Sequence, residues 1–165
     1  MALEIRKITE SELHLVTELS AKIWPIAYKE IITQAQIKYM LSTMYSQEAL
    51  KQNLSDGHTF LIAERDHNPV GYAGYQTHFP QLEFSKLHKL YVLPETQFTG
   101  IGGALFREVV SASKKEHCNH LILQVNKINP ALQFYHKNGM YIHEEAVFDI
   151  GNGFVMDDYI MRLDW

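Results

Sequence analysis

Leu90-Tyr91-Val92-Leu93-Pro94-Glu95-Thr96-Gln97-Phe98-Thr99-Gly100-Ile101-Gly102-Gly103 is the stretch on which the fold turns. A β-branched and aromatic run, Leu87 to Leu93, is stopped by Pro94. A polar turn follows, and Gly100, Gly102 and Gly103 open a helical pattern that continues through Ala104-Leu105-Phe106-Arg107-Glu108-Val109-Val110. A strand, a glycine turn and a helix start in that order gather backbone N–H groups at the positive end of a helix dipole, a common way to hold a phosphate. Glycine matters there because a Cβ would keep the anion away from the backbone.

The segment has no Gly-Lys-Ser/Thr and no Gly-x-Gly-x-x-Gly, which excludes a Walker-type loop and a dinucleotide fingerprint. A second informative stretch lies downstream. His120-Leu121-Ile122-Leu123-Gln124-Val125 reads as a buried strand, followed by Asn129-Pro130-Ala131-Leu132-Gln133-Phe134-Tyr135-His136-Lys137-Asn138-Gly139-Met140. Asn129 suits an N-cap, Pro130 the first helical position and Gly139 the residue just past the helix end. The reading is one short helix with Phe134 and Tyr135 near its middle.

Together these segments resemble the GCN5-related N-acetyltransferase (GNAT) family. Gln97-Phe98-Thr99-Gly100-Ile101-Gly102 is similar to its Q/R-x-x-G-x-G/A signature, which cradles the coenzyme A pyrophosphate. Asn129 to Met140 is similar to its N-x-A-x-x-F-Y-x-x-x-G-F segment, with Met140 where phenylalanine is usual. The resemblance implies acetyl-CoA as co-substrate, no metal, and transfer of an acetyl group to a primary amine by direct attack in a ternary complex. It implies cofactor contacts at Leu90, Tyr91 and Val92 (through backbone), Gln97, Phe98, Thr99, Gly100, Ile101, Gly102, Gly103, Asn129 and Phe134. Tyr135 is the candidate general acid, since a phenol can protonate a departing thiolate.

Many relatives carry a glutamate on the strand before the loop. Here Lys86-Leu87-His88-Lys89-Leu90-Tyr91 has no carboxylate. His88 is the candidate general base, its ordinary pKa near 6.5 suiting proton removal at neutral pH. A hydrogen-bonded structural histidine, Glu83, His78, or proton loss through water are the other readings. On the acceptor side, Trp24 and Tyr28 are the aromatic candidates, with Tyr39 and Tyr45 nearby, although aromatics at helical spacing also suit a core. Asp157 and Asp158 resemble the acidic pair near the end of bacterial polyamine acetyltransferases, and read otherwise as solvated acids at a strand start. That resemblance leads to an expected net-acidic acceptor surface and a polyamine or other small-molecule amine as substrate. A peptide, a lysine or an aminoglycoside is the alternative acceptor, and a silent acyl-CoA sensor the alternative function.

The rest of the chain agrees. Its 165 residues suit a single domain over 1–165, and 46% hydrophobic with 21% charged residues is ordinary for a folded protein. A formal charge of −4 argues against nucleic acid as the main partner. No long apolar run or charged leader suggests a membrane partner or export, and the lone Cys118 fits a reducing, cytoplasmic setting. The oligomeric state stays open, a homodimer included.

Alternation at Leu3–Ile8 predicts a strand, and Thr9-Glu10-Ser11-Glu12 reads as a capping box before a helix that Pro25 kinks or ends. Further helices are expected at Ile31–Met44 and after Ser46, and hairpins around Asp66-His67-Asn68-Pro69 and Asp149-Ile150-Gly151-Asn152-Gly153. The expected class is α/β, a mixed central sheet flanked by helices in the order β-α-α-α-β-β-β-α-β-α-β-β.

Overall fold

The strand read at Leu3–Ile8 forms as β1 (Leu3–Lys7) and pairs antiparallel with β2 (Thr59–Arg65). Between them lie three helices, α1 (His14–Ala27), α2 (Gln34–Met44) and α3 (Gln47–Ser55). Then come β3 (Asn68–Thr77), β4 (Phe84–Val92), α4 (Ile101–Lys115), β5 (His120–Asn126), α5 (Ala131–Lys137), β6 (Tyr141–Gly151) and β7 (Phe154–Asp164). This computed structural model describes residues 2–97 and 99–165. The predicted element order holds, with short 3-10 turns added at Glu10–Glu12 and Pro94–Thr96.

Local chemistry explains most boundaries. Thr33 and Ser46 cap α2 and α3, their hydroxyls accepting from the N–H of Gln36 and Ala49 at 3.1 Å each. Asp66 and His67, both at positive φ, make the two-residue β2–β3 turn, and Asn152-Gly153 makes the β6–β7 turn in the same way. Two expectations shift. Pro25 lies in the last turn of α1 without ending it, because Tyr28 N–H still reaches the Trp24 carbonyl at 3.0 Å. The capping box gives way to the 3-10 turn. The Thr9 hydroxyl makes no cap bond, and Glu12 is held by Arg6 at 2.7 Å, a charge-assisted bond that outweighs a neutral cap.

The seven strands form one sheet in the order β1-β2-β3-β4-β5-β7-β6, antiparallel except between β4 and β5. Period-two alternation sorts the core onto its two faces. Phe60 and Ile62 of β2 pack with Tyr72 against Val16, Ile23, Trp24, Ile37, Met40 and Leu50 of α1–α3. Leu61 and Ala63 face the other way, joining Leu87, Leu121, Leu123 and Met161 beneath Ile101, Leu105, Phe106 and Val109 of α4. Cys118 is buried just beyond α4. No helix among the described residues is long and apolar enough to cross a membrane.

One departure from regular pairing positions everything that follows. The parallel β4–β5 ladder runs only from Phe84↔His120 to Leu87↔Leu123, yet β4 continues to Val92 and β5 to Asn126. The break coincides with a bulge, for β3 pairs Gly74 with Lys89 and Tyr75 with Leu87, leaving His88 opposite no residue. The extra residue turns β4 away from β5, and a wedge opens in the middle of the sheet.

Candidate active site

The wedge is the floor of a cleft of about 1010 Å³. Leu90, Tyr91 and Val92 form one wall with strand backbone that β5 no longer pairs. Gln97, Gly100, Gly102 and Gly103 close one end, and Asn129, Phe134 and Tyr135 form the opposite wall. Trp24 and Tyr28 of the α1 region, His88 and Asp158 complete the lining away from the glycines.

At the glycine end, the first intrahelical bond of α4 runs from Ala104 N–H to the Gly100 carbonyl at 3.0 Å. The N–H groups of Ile101, Gly102 and Gly103 therefore have no acceptor within the helix. Gly100 has a φ of +87° that favours glycine, whereas at Gly102 a Cβ would fit at ordinary contact distance, 3.5 Å from the Phe134 ring and 3.7 Å from Val92 Cγ2, and only a larger side chain would intrude on the cleft. Arg107, one turn into α4, lines the same end, as does Lys137. Of the other expected cofactor positions, Ile101 buries its side chain in the α4-side core and offers only its N–H, exposed Thr99 donates its hydroxyl to the Thr96 carbonyl, and Phe98 lies outside the described residues.

On the opposite wall the Asn129 side chain accepts from Ala131 N–H at 2.9 Å, capping α5, and Gly139 leaves that helix at φ +92°. This fixes Phe134 and Tyr135, whose rings meet edge to face at 5.3 Å. Burial, then the nearby Tyr28, raises the Tyr135 phenol above its ordinary value. Tyr28 stacks on Trp24 at 4.3 Å and shares a 2.7 Å hydrogen bond with the Tyr91 hydroxyl. Burial pushes Tyr28 up to about 12, so all these phenols are proton donors at neutral pH.

A family model described as an acetyltransferase (GNAT) domain matches residues 28–160. The chain belongs to the GNAT family of N-acetyltransferases. It is 26% identical over 163 residues to a spermidine N(1)-acetyltransferase of Thermoplasma acidophilum, covering 95% of this chain and 97% of that one. The crystal structure of the PaiA N-acetyltransferase of Thermoplasma acidophilum, a coenzyme A complex, superposes with a TM-score of 0.84 at 26% identity over the whole of both chains. The ribosomal-protein-S18-alanine N-acetyltransferase of Escherichia coli shares the fold with a TM-score of 0.75 at 16% identity, covering 99% of this chain and 94% of that one.

Two expectations for this GNAT chain are corrected at the acceptor end. The first is His88. Burial, with the charges of His58, Lys86 and Lys89 added, lowers its pKa to about 2. Its ring stacks on His58 at 4.1 Å and its Nε2 lies 3.1 Å from Gln76 Oε1. Stacked and hydrogen-bonded in this way the imidazole is held as part of the cleft wall, and burial opposes its taking a proton. Its ring resonances are expected to stay constant from pH 8 to pH 5 by NMR, and a titration near 6.5 would restore it as the base. Because the unfolded chain protonates there and the folded one does not, His88 contributes stability above about pH 6.5 that is lost as pH falls below it.

The second correction is the acidic pair. Neighbouring strand residues face opposite ways. Asp157 is exposed and bound to Lys127 at 3.0 Å, away from the cleft, while only Asp158 enters it. Nor is the acceptor end net acidic, since Lys86 and Lys89 line the cleft there against a single carboxylate among the described residues. Lys86 donates to Gln124 Oε1 at 2.8 Å, and burial, followed by Lys86, lowers Lys89 to about 8. The sequence offered no sign that these two lysines are half-buried in the cleft wall. Arg107 was more accessible to reasoning, standing four residues after Gly103 on the same helix face.

Proposed function

We propose that the chain, as one domain over residues 1–165, transfers an acetyl group from acetyl-CoA to a primary amine of a small molecule by direct attack in a ternary complex. The observation that carries this reading is the opening of the β4–β5 wedge, the start of α4 and Tyr135 into one cleft. They supply a carbonyl-polarising backbone, a site for the cofactor phosphates and a proton donor for the leaving thiolate. The pyrophosphate would rest on the first N–H groups of α4, with Arg107 adding charge. Backbone N–H groups of Leu90 to Val92, freed by the wedge, would polarise the thioester carbonyl and stabilise its oxyanion. Tyr135 would protonate the departing thiolate. The spermidine-acetylating relative favours a polyamine as acceptor, while the lysines along β4 weigh against a channel built only for polycations.

A thiol-release assay with acetyl-CoA over a panel of amines tests the reading. Amine-dependent release of free coenzyme A thiol is expected. Tight acetyl-CoA binding with no release for any amine would instead identify a silent acyl-CoA-binding module.

A further inference from the structure

Asp158 is fully buried, and neither carboxylate oxygen has a hydrogen-bond partner among the described residues. It nevertheless lines the cleft. Burying an ion without a partner opposes folding, so an unpaired carboxylate in the wall of a cleft favours entry of a counter-ion. The strand register says where. Asp158 pairs with Asn126, at the end of β5 where β4 has already parted from it, and with Ala146 of β6. Its charge is felt at Tyr28, which is bonded to Tyr91 of the wedge wall and influences Tyr135. The unpaired carboxylate thus sits at the open end of the wedge, within electrostatic reach of Tyr28. Burial, with the Asp157 charge behind it, raises its pKa to about 6, the direction expected of an anion that lacks a counter-ion.

We propose that Asp158 is the acceptor-amine site: its carboxylate receives the primary ammonium of the substrate and takes the first of its protons. The proposal rests on the acetyl-transfer reading above. Half-buried Tyr28 and Met156 flank the same region, backed by the buried Trp24 and Met40, an apolar and aromatic wall that suits a hydrocarbon stem. The substrate class is therefore a primary alkylamine with methylenes next to its nitrogen. The protons balance as follows. The ammonium gives one proton to Asp158 and becomes a neutral amine. Its nitrogen bonds to the thioester carbon, and the C–S bond breaks. Tyr135 protonates the sulfur and recovers a proton from the nitrogen as the amide forms. Asp158 then releases its proton to solvent, so each turnover yields amide, free thiol and one proton.

The test compares the parent with Asp158→Asn and Asp158→Glu, using hexylamine, protonated at neutral pH, and hexanoyl hydrazide, which is neutral there. For Asp158→Asn, kcat/KM toward hexylamine should fall roughly 10²–10⁴-fold, the usual loss of a positioned proton acceptor. The fall toward the hydrazide should be at least about tenfold smaller, since that nucleophile has no ammonium proton to surrender. Asp158→Glu should recover part of the hexylamine rate. Calorimetric affinity for acetyl-CoA should be unchanged, and Asp158→Asn should melt no lower than the parent, because the charge removed had no protein partner. Equal losses for both nucleophiles, no loss at all, or a markedly lower melting temperature would overturn the proposal. If the parent releases no thiol with any amine, the acetyl-transfer reading fails separately. Melting curves then decide the site: hexylamine should raise the parent's melting temperature and leave that of Asp158→Asn unmoved, and equal responses would refute it.

Discussion

Tyr135→Phe is expected to bind acetyl-CoA as tightly as the parent and to turn over roughly 10²–10⁴-fold more slowly, the usual range for losing a positioned proton donor. The ring belongs to the cleft wall whichever residue carries it. Phe106 and Phe134 lie at 6.3 and 5.3 Å, so phenylalanine keeps the packing and removes only the hydroxyl. Burial raises the phenol above its ordinary value, which keeps it protonated but makes it a weaker acid. In water, a phenol near pKa 10 would not readily protonate a thiolate near 8.5. In the closed cleft the same desolvation acts on the developing thiolate and raises its proton affinity as well. Burial of both groups therefore need not widen the gap between them, and donation is drawn by the charge that develops on sulfur as the C–S bond breaks. Single-turnover kinetics would isolate the chemical step and calorimetry the binding. Full kcat in Tyr135→Phe, with chemistry shown to limit the rate, would rule out the general-acid role.

What the sequence made legible were features fixed by local backbone chemistry. Gly100 and Gly139 at positive φ, Asn129 as a cap, the hairpins at Asp66-His67 and Asn152-Gly153, and the alternating strands each depend on a few neighbouring residues. What stayed hidden depends on partners distant in sequence. The bulge at His88 exists because β3 and β4 fall out of step between Gly74 and Tyr75, and no run of residues within β4 announces that. The low pKa of His88 follows from burial against His58, thirty residues earlier in the chain. Pairing Asp157 with Asp158 was a different kind of error. Strand periodicity already sends neighbours to opposite faces, and the resemblance to an acidic motif overrode a geometric rule available from the sequence.

The glycine loop offers a graded experiment. A Cβ on Gly102 would sit at ordinary contact distance from Phe134 and Val92, so Gly102→Ala should fold normally and lose little cofactor affinity. Valine adds two further carbons, and because Gly102 faces the cleft they must occupy either the Phe134 contact or the space in front of the first N–H groups of α4. Stability should change little, since replacing glycine early in a helix also removes chain entropy from the unfolded state. Affinity should change a great deal, because an anion held on backbone N–H groups depends on close approach. We expect Gly102→Val to weaken acetyl-CoA binding by roughly 10²-fold, about 2.7 kcal/mol. Gly100→Ala is the complementary control. Among the described residues nothing lies within 4 Å of a Cβ there, but its φ of +87° strains any side chain, so the cost should appear in melting temperature before it appears in affinity. Calorimetry and thermal unfolding on the three variants separate the two reasons for glycine. If folded Gly102→Val bound acetyl-CoA like the parent, the phosphate would have to be held elsewhere, with Arg107 and Lys137 the cleft cations next to be examined.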